Sequence, residues 1–151
     1  TINMSIWNKL FSTGAAKWNE IENIFNSIRN ENLIPMHCVS SYPCDVKKIN
    51  MNRLISLKKF SNVLGYSGHL SSIEDAILAI SSGATYIEKH FTIDNNLPGR
   101  DNKFAILPPM LKSLSDFREK FNYMNIDHGL DLQECEMDTY KNYRGRWSKS
   151  E

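Results

Sequence analysis

Short apolar runs that end in turn residues alternate along this chain with segments whose apolar side chains recur at helical spacing. That rhythm limits the fold to parallel strands joined by crossover helices. Trp18, Ile21, Ile24, Phe25 and Ile28 share one stripe, which predicts a helix from Trp18 to Asn30. The compact run "LIPMHCVSSY", Leu33 to Tyr42, then stops at Pro43 as a buried strand would. Met51, Leu54, Ile55 and Leu57 predict a second helix to about Phe60, and "NVLGYS" a further short strand. Ser71 stands three residues before Glu74, a capping-box spacing, ahead of the stripe Ile73, Ala76, Ile77 and Ile80 and the "SSG" stop at Gly83. A strand from Ala84 to Phe91 follows. The last predicted helix opens near Pro108 or Pro109 and carries Met110, Leu114, Phe117, Phe121 and Met124 on its apolar face. Before the first helix, "KLFSTG" is another strand candidate, which brings the strand-then-helix units to four. The expectation is an α/β fold, either an open sheet or part of an eight-unit barrel, and periodicity alone does not choose between them. Beyond Asn125 the pattern gives way to a polar stretch that reads as a linker or tail.

Composition narrows the partners. The net charge is +1, and the basic clusters Lys47-Lys48, Lys58-Lys59 and Arg144/Arg146 are small, so neither a nucleic-acid nor an anionic membrane surface is expected. No apolar run approaches the roughly 20 residues of a membrane span, and "TINMSIWNKLF" lacks the pattern of a signal peptide. A cytoplasmic protein is the expectation. Cys38, Cys44 and Cys135 form no CxxC pair and read as reduced, packing cysteines.

In parallel α/β folds, chemistry gathers at the C-terminal ends of the strands. His69 and His90 both fall there. Along the last strand Tyr86, Glu88 and His90 share one face while Ile87, Lys89 and Phe91 share the other. Ser67 shares the face of His69. If the two strands pair, at about 4.8 Å, the imidazoles converge, and two neutral imidazoles with open positions suit a divalent transition metal that also binds water or substrate oxygens. Glu88 nearby could orient a bound water or move a proton; its bland alternative is a salt bridge to Lys103 or Arg100. His37, mid-strand, reads as a satisfied core or interface residue, and His128 in the polar tail carries no argument. The turn-rich "DNNLPGRDNK" after the last strand can bring Asp101 into the cleft, or use it as a turn acceptor. "STG" at Ser12–Gly14 offers hydroxyl and N–H groups suited to phosphate. Ser40 and Tyr42 share a face with Cys38 and fit a polar ligand or a wet rim equally.

Taken together, "FSTGAA", "HCVSSYP", "GYSGH", "IEKHFT" and "LPGRD" resemble the sialic acid (N-acetylneuraminate) synthase family in order and spacing, from Ser12 to about Met124. The resemblance implies that residues 1–124 are strands five to eight of a (β/α)8 barrel, with 125–151 a linker towards an antifreeze-like domain. It implies condensation of phosphoenolpyruvate with an N-acyl amino sugar such as N-acetylmannosamine to give N-acetylneuraminate and phosphate. A divalent ion would be held by His69 and His90, most commonly Mn²⁺, with Mg²⁺ or Co²⁺ possible. Ser12, Ser40 and Ser67 would contact phosphoenolpyruvate, Tyr42 and Asp101 the amino sugar, and Glu88 would position reacting groups or shuttle a proton. The full-length form would be a homodimer. Many members carry Asn at the position of Ser40 and Asp at that of Gly68, and the missing Asp removes a carboxylate that would support a metal ligand. The barrel's first half, with a phosphoenolpyruvate-binding lysine and an acidic residue, has no counterpart here, so the 151 residues alone are expected to be inactive. Legionaminic or pseudaminic acid synthesis, and a non-catalytic assembly module, are the alternatives.

Overall fold

The computed structural model describes residues 9–28 and 32–145. Four strands, β1 (Lys9–Ser12), β2 (Leu33–Cys38), β3 (Leu64–Gly68) and β4 (Ala84–Lys89), form one sheet in the order β1-β2-β3-β4, with every neighbouring pair parallel. The crossovers carry α1 (Trp18–Ser27), α2 (Met51–Ser56) and α3 (Glu74–Ser81), and α4 (Pro108–Met124) follows β4. The chain divides into two compact units, Thr1–Phe121 and Asn122–Glu151. Every residue of β2 and β3 is buried, whereas β1 alternates between half-buried and exposed. β4 is only partly covered.

The helices cover one face of the sheet. Ile21 of α1, Leu54 of α2, Ala79 of α3 and Leu57 join Leu64, Tyr66 and Ala84 in one apolar cluster. Ile21, Leu54, Leu57 and Leu64 are completely removed from solvent, each stabilising the fold by about 1.5–3 kcal/mol. Phe25 stacks on Phe60 at 4.8 Å and meets Phe11 edge-on at 5.8 Å, which ties α1 to β1 and to the end of the second helical segment. A second cluster packs Ala76 and Ile80 of α3 against Leu114 of α4. Arg53 braces the turn after β1 by donating to the carbonyls of Thr13 at 3.2 Å and Ala16 at 2.6 Å.

Several element ends differ from expectation. The β2 ladder stops at Cys38 instead of Tyr42, because Ser41 N–H turns back to Val39 O and Cys44 N–H bonds His69 O, drawing the chain off the sheet. α2 ends at Ser56 and tightens into a 3-10 turn over Leu57–Lys59, closed by Phe60 N–H to Leu57 O. β4 ends at Lys89, after which His90 O and Thr92 N–H pair with Ile106. The Ser71–Glu74 capping box does not form: Ile73 is the N-cap, and Ser72 bonds the Glu74 carboxylate, holding its pKa below the usual range. The first expected helix ends at Ser27, with Ile28 as its C-cap and Ile28 N–H bonded to Ile24 O, short of Asn30; residues 29 and 30 lie outside the described residues, as do residues 146–151.

The second unit is more ordered than a plain linker. It forms a 3-10 turn at Glu134–Glu136 that runs into α5 (Met137–Asn142). Gln133 N–H donates to Glu136 at 3.1 Å and Asn142 donates to Asp138 at 2.7 Å, so local polar bonds build what apolar periodicity did not announce. Among the described residues no helix is long and apolar enough to cross a membrane.

Candidate metal and substrate site

β3 and β4 end side by side, with Ser67 opposite Glu88 and Gly68 opposite Lys89. The next residue on each strand is a histidine. Alternation sends both rings to the face away from the helices, and their centroids lie 5.3 Å apart. With metal–nitrogen bonds of about 2.0–2.1 Å, two imidazoles on adjacent positions of one ion have ring centres about 5 Å apart, so this spacing fits a shared cation.

The two rings differ in surroundings. His69 is 4% exposed. Its Nδ1 bonds the carbonyl of Val39 at 3.2 Å and lies 4.0 Å from Cys38 Sγ. Burial, and then the neighbouring His90, hold its pKa below the usual histidine range, which favours the uncharged form that a metal ligand requires. His90 is about one-third exposed, and its Nδ1 lies 3.7 Å from Asp101 Oδ2. That gap is too long for a hydrogen bond, so the two are held as charge neighbours. In both rings an oxygen faces Nδ1, so Nε2 is the nitrogen that could take a metal, the arrangement by which metal-bound histidines are oriented. Among the described residues no three His, Cys, Asp or Glu side chains gather as a metal-binding group. Two imidazoles alone could hold an ion only with most of its positions left to water or substrate, unlike a closed structural site.

Aromatic rings wall this corner. Tyr42 meets His69 edge-on at 4.3 Å and stands 6.1 Å from both His90 and Phe104, and Phe104 lies 5.0 Å from His90. Phe104 was not singled out from sequence; its signal was the apolar "FAIL" directly after the turn-rich loop. That loop is cross-braced. Asn95 donates to the carbonyls of Asn102 and Ala105, and Asn102 donates to those of Leu97 and Pro98. Gly99 sits at φ +144, where a side chain would be strained and would meet Asn102. The braced loop delivers Asp101 beside His90.

Two residues before the histidines on each strand, Ser67 donates to Glu88 Oε1 at 2.7 Å across the β3–β4 pair. Glu88 therefore engages a serine of the site instead of forming the ion pair with Lys103 or Arg100 considered from sequence, and it does not join the two rings in a three-member group. Ser40 follows β2, with Oγ 3.7 Å from Cys38 Sγ. A Cβ on Gly14 would run into Ser40 Oγ, so the turns after β1 and β2 touch. Ser12 ends β1 and accepts from Gly14 N–H at 3.4 Å, at the far side of the sheet from the histidines. His37 is fully buried on the helix side, with Nε2 2.8 Å from Ile49 O, and takes no part in the site.

The model of the NeuB family matches residues 8–126, and the chain belongs to that family. It is 37% identical over 111 residues to the N,N'-diacetyllegionaminic acid synthase of Campylobacter jejuni, covering 70% of this chain and 33% of that protein. It is 33% identical over 129 residues to a pseudaminic acid synthase of the same species, covering 83% and 38%. The crystal structure of N-acetylneuraminic acid (sialic acid) synthetase from Leptospira borgpetersenii in complex with citrate matches at a TM-score of 0.76 and 33% identity, over 93% of this chain and 50% of that chain. The chain thus spans about a third of the length of the curated relatives it matches.

Proposed function

We propose that this chain is part of a synthase that condenses phosphoenolpyruvate with an N-acyl amino sugar, releasing phosphate and forming a nonulosonic acid. The single observation that carries the reading is the pairing of His69 and His90 at adjacent strand ends, each with an oxygen facing Nδ1. N-Acetylmannosamine and N-acetylneuraminate are the first candidates for sugar and product. Legionaminic and pseudaminic acids are the alternatives, supported by the relatives that bear those names.

His69 and His90 would hold a divalent cation, Mn²⁺ first and Mg²⁺ or Co²⁺ next. The cation, when bound, supplies Lewis-acid polarisation of the sugar's aldehyde oxygen. Asp101 and Tyr42 border the rings and accept and position sugar hydroxyls. Ser12, Ser40 and Ser67 stand at successive strand ends where an anionic substrate meets hydroxyl groups. Glu88, bonded to Ser67, holds or moves a proton next to that substrate. Parallel strands with β1 and β4 at the margins, together with coverage of half of the Leptospira structure, support reading this unit as four of a barrel's eight βα units; a homodimer is the assembly proposed for the complete enzyme.

Phosphate release from phosphoenolpyruvate against a panel of N-acyl amino sugars tests this in a complete barrel that carries the chain. Sugar-dependent release, lost in His90→Ala, is expected there. The 151-residue chain alone is expected to give none. Turnover by the chain alone overturns the half-barrel reading, and a complete barrel without sugar-dependent release favours the non-catalytic assembly module.

A further inference from the structure

The helix-covered face of the sheet carries an ion pair that the proposed chemistry does not use. Lys89 immediately precedes His90, and alternation sends its side chain away from the rings, where 4% of it is exposed; the side chain of Asp75, in the first turn of α3, is fully buried. Lys89 Nζ donates to both Asp75 oxygens at 3.0 Å and to the carbonyl of Leu70 at 2.9 Å. Tyr66 Oη donates to Asp75 Oδ2 at 3.1 Å, and Ala76 N–H donates to Oδ1 at 2.8 Å. Leu70 is the residue after His69. One ammonium group therefore joins the backbone just past one imidazole to the strand position just before the other. A buried ion pair is a poor source of net stability, because desolvation offsets most of its attraction. Its position between the two ligand-bearing segments is what distinguishes it.

Gly68 provides a second, independent observation. It precedes His69 and pairs in register with Lys89. A Cβ on Gly68 would run into Asp75 Oδ2 and approach Tyr66 Cε1 to 2.7 Å. The Asp75 carboxylate thus fills the volume beside Lys89 that a side chain at position 68 would otherwise enter. The carboxylate beside Gly68 and Lys89 therefore comes from α3.

We propose that Lys89, held by Asp75, is a positioning residue that sets the spacing of His69 and His90, and that its carboxylate partner can be supplied from position 68 in place of position 75. The effect on cation binding rests on the function proposed above; the effect on ring placement does not. The test uses the 151-residue chain as wild type, Lys89→Met, Asp75→Ala, Gly68→Asp and the double variant Gly68→Asp/Asp75→Ala. Affinity for Mn²⁺ alone is read from the electron paramagnetic resonance of the free ion. Imidazole C–H resonances of the metal-free chain report ring placement, with His128 as internal control. The three single variants are expected to weaken Mn²⁺ binding by about tenfold or more and to move the His69 and His90 resonances. The double variant is expected to bring both readouts back towards wild type, which a general structural defect would not do. Wild-type affinity and unmoved resonances in a folded Asp75→Ala chain overturn the proposal. So does a double variant that is unfolded, or folded but as displaced as Asp75→Ala; if the single variants unfold, the double variant decides by itself. A wild-type chain that binds no Mn²⁺ counts against the cation reading, and the resonances then decide this one.

Discussion

On the helix-covered face of the sheet Tyr66, Asp75 and Lys89 satisfy one another's polar atoms in the layer that holds Ile21, Leu54 and Leu57, whereas on the opposite face His69, His90 and Asp101 stand beside each other with coordinating atoms to spare. Both faces place charged or polar groups at the ends of the same two strands. Only one of them leaves those groups incompletely bonded. A buried polar group must be partnered to be tolerated, so the closed network is a structural device, and the open one is where a ligand can complete the bonding.

The sharpest way to break this contrast is to remove one charge from the closed face. Lys89→Met leaves Asp75 buried without its cation and should lose about 3–5 kcal/mol in urea unfolding, while Lys89→Met/Asp75→Leu should recover most of it. A loss under about 1 kcal/mol for the single variant, the size expected of an exposed pair, would mean that the network is not the dry layer described. Next in size is Leu54→Ala, at a fully buried position of the helix-side core, which should lose about 2–5 kcal/mol by the same measurement.

Acid should weaken the fold in a graded way. Burial lowers the pKa of both His37 and His69, so the unfolded chain takes up protons first as pH falls. The stability these neutral rings contribute is complete above the ordinary histidine value of about 6.5 and is lost as pH drops from there towards their folded values. Thermal midpoints followed from pH 7.5 to 5 should fall, and His37→Gln should flatten part of that slope. A midpoint that rises on acidification would contradict the placement of His37. The smallest effect belongs to the open face. Ser67→Ala removes one bond to Glu88 and should change stability by only about 0.5–1.5 kcal/mol.

Much of this contrast was readable before any coordinates. The order of strands and helices followed from apolar spacing, and strict alternation along β4 put Glu88 and His90 on one face and Lys89 on the other. The closed network was harder to see. Asp75 looks like an ordinary acid near a helix start, and nothing in its local pattern points to Lys89, which is 14 residues away in sequence. A clue was nevertheless present: alternation put Lys89 among Ile87 and Phe91, and a lysine on a buried face requires a partner. The capping box failed because Ser72, not Ser71, engages Glu74, a choice set by the path of the chain from His69 into α3. The contacts of Phe104 and of the Val39 carbonyl with the histidines were harder to place for a different reason, although the apolar run from Phe104 was visible. They reach the histidines through loops, and loop paths leave no periodicity to read.

Mn²⁺ titration of the 151-residue chain, compared with His69→Ala and His90→Ala, is the most direct test of the two-histidine site. One equivalent bound by the wild type, and binding lost in each folded variant, is the predicted result. Either no binding by the wild type, or binding that survives removal of one ring unchanged, contradicts the shared-cation site at the ends of β3 and β4.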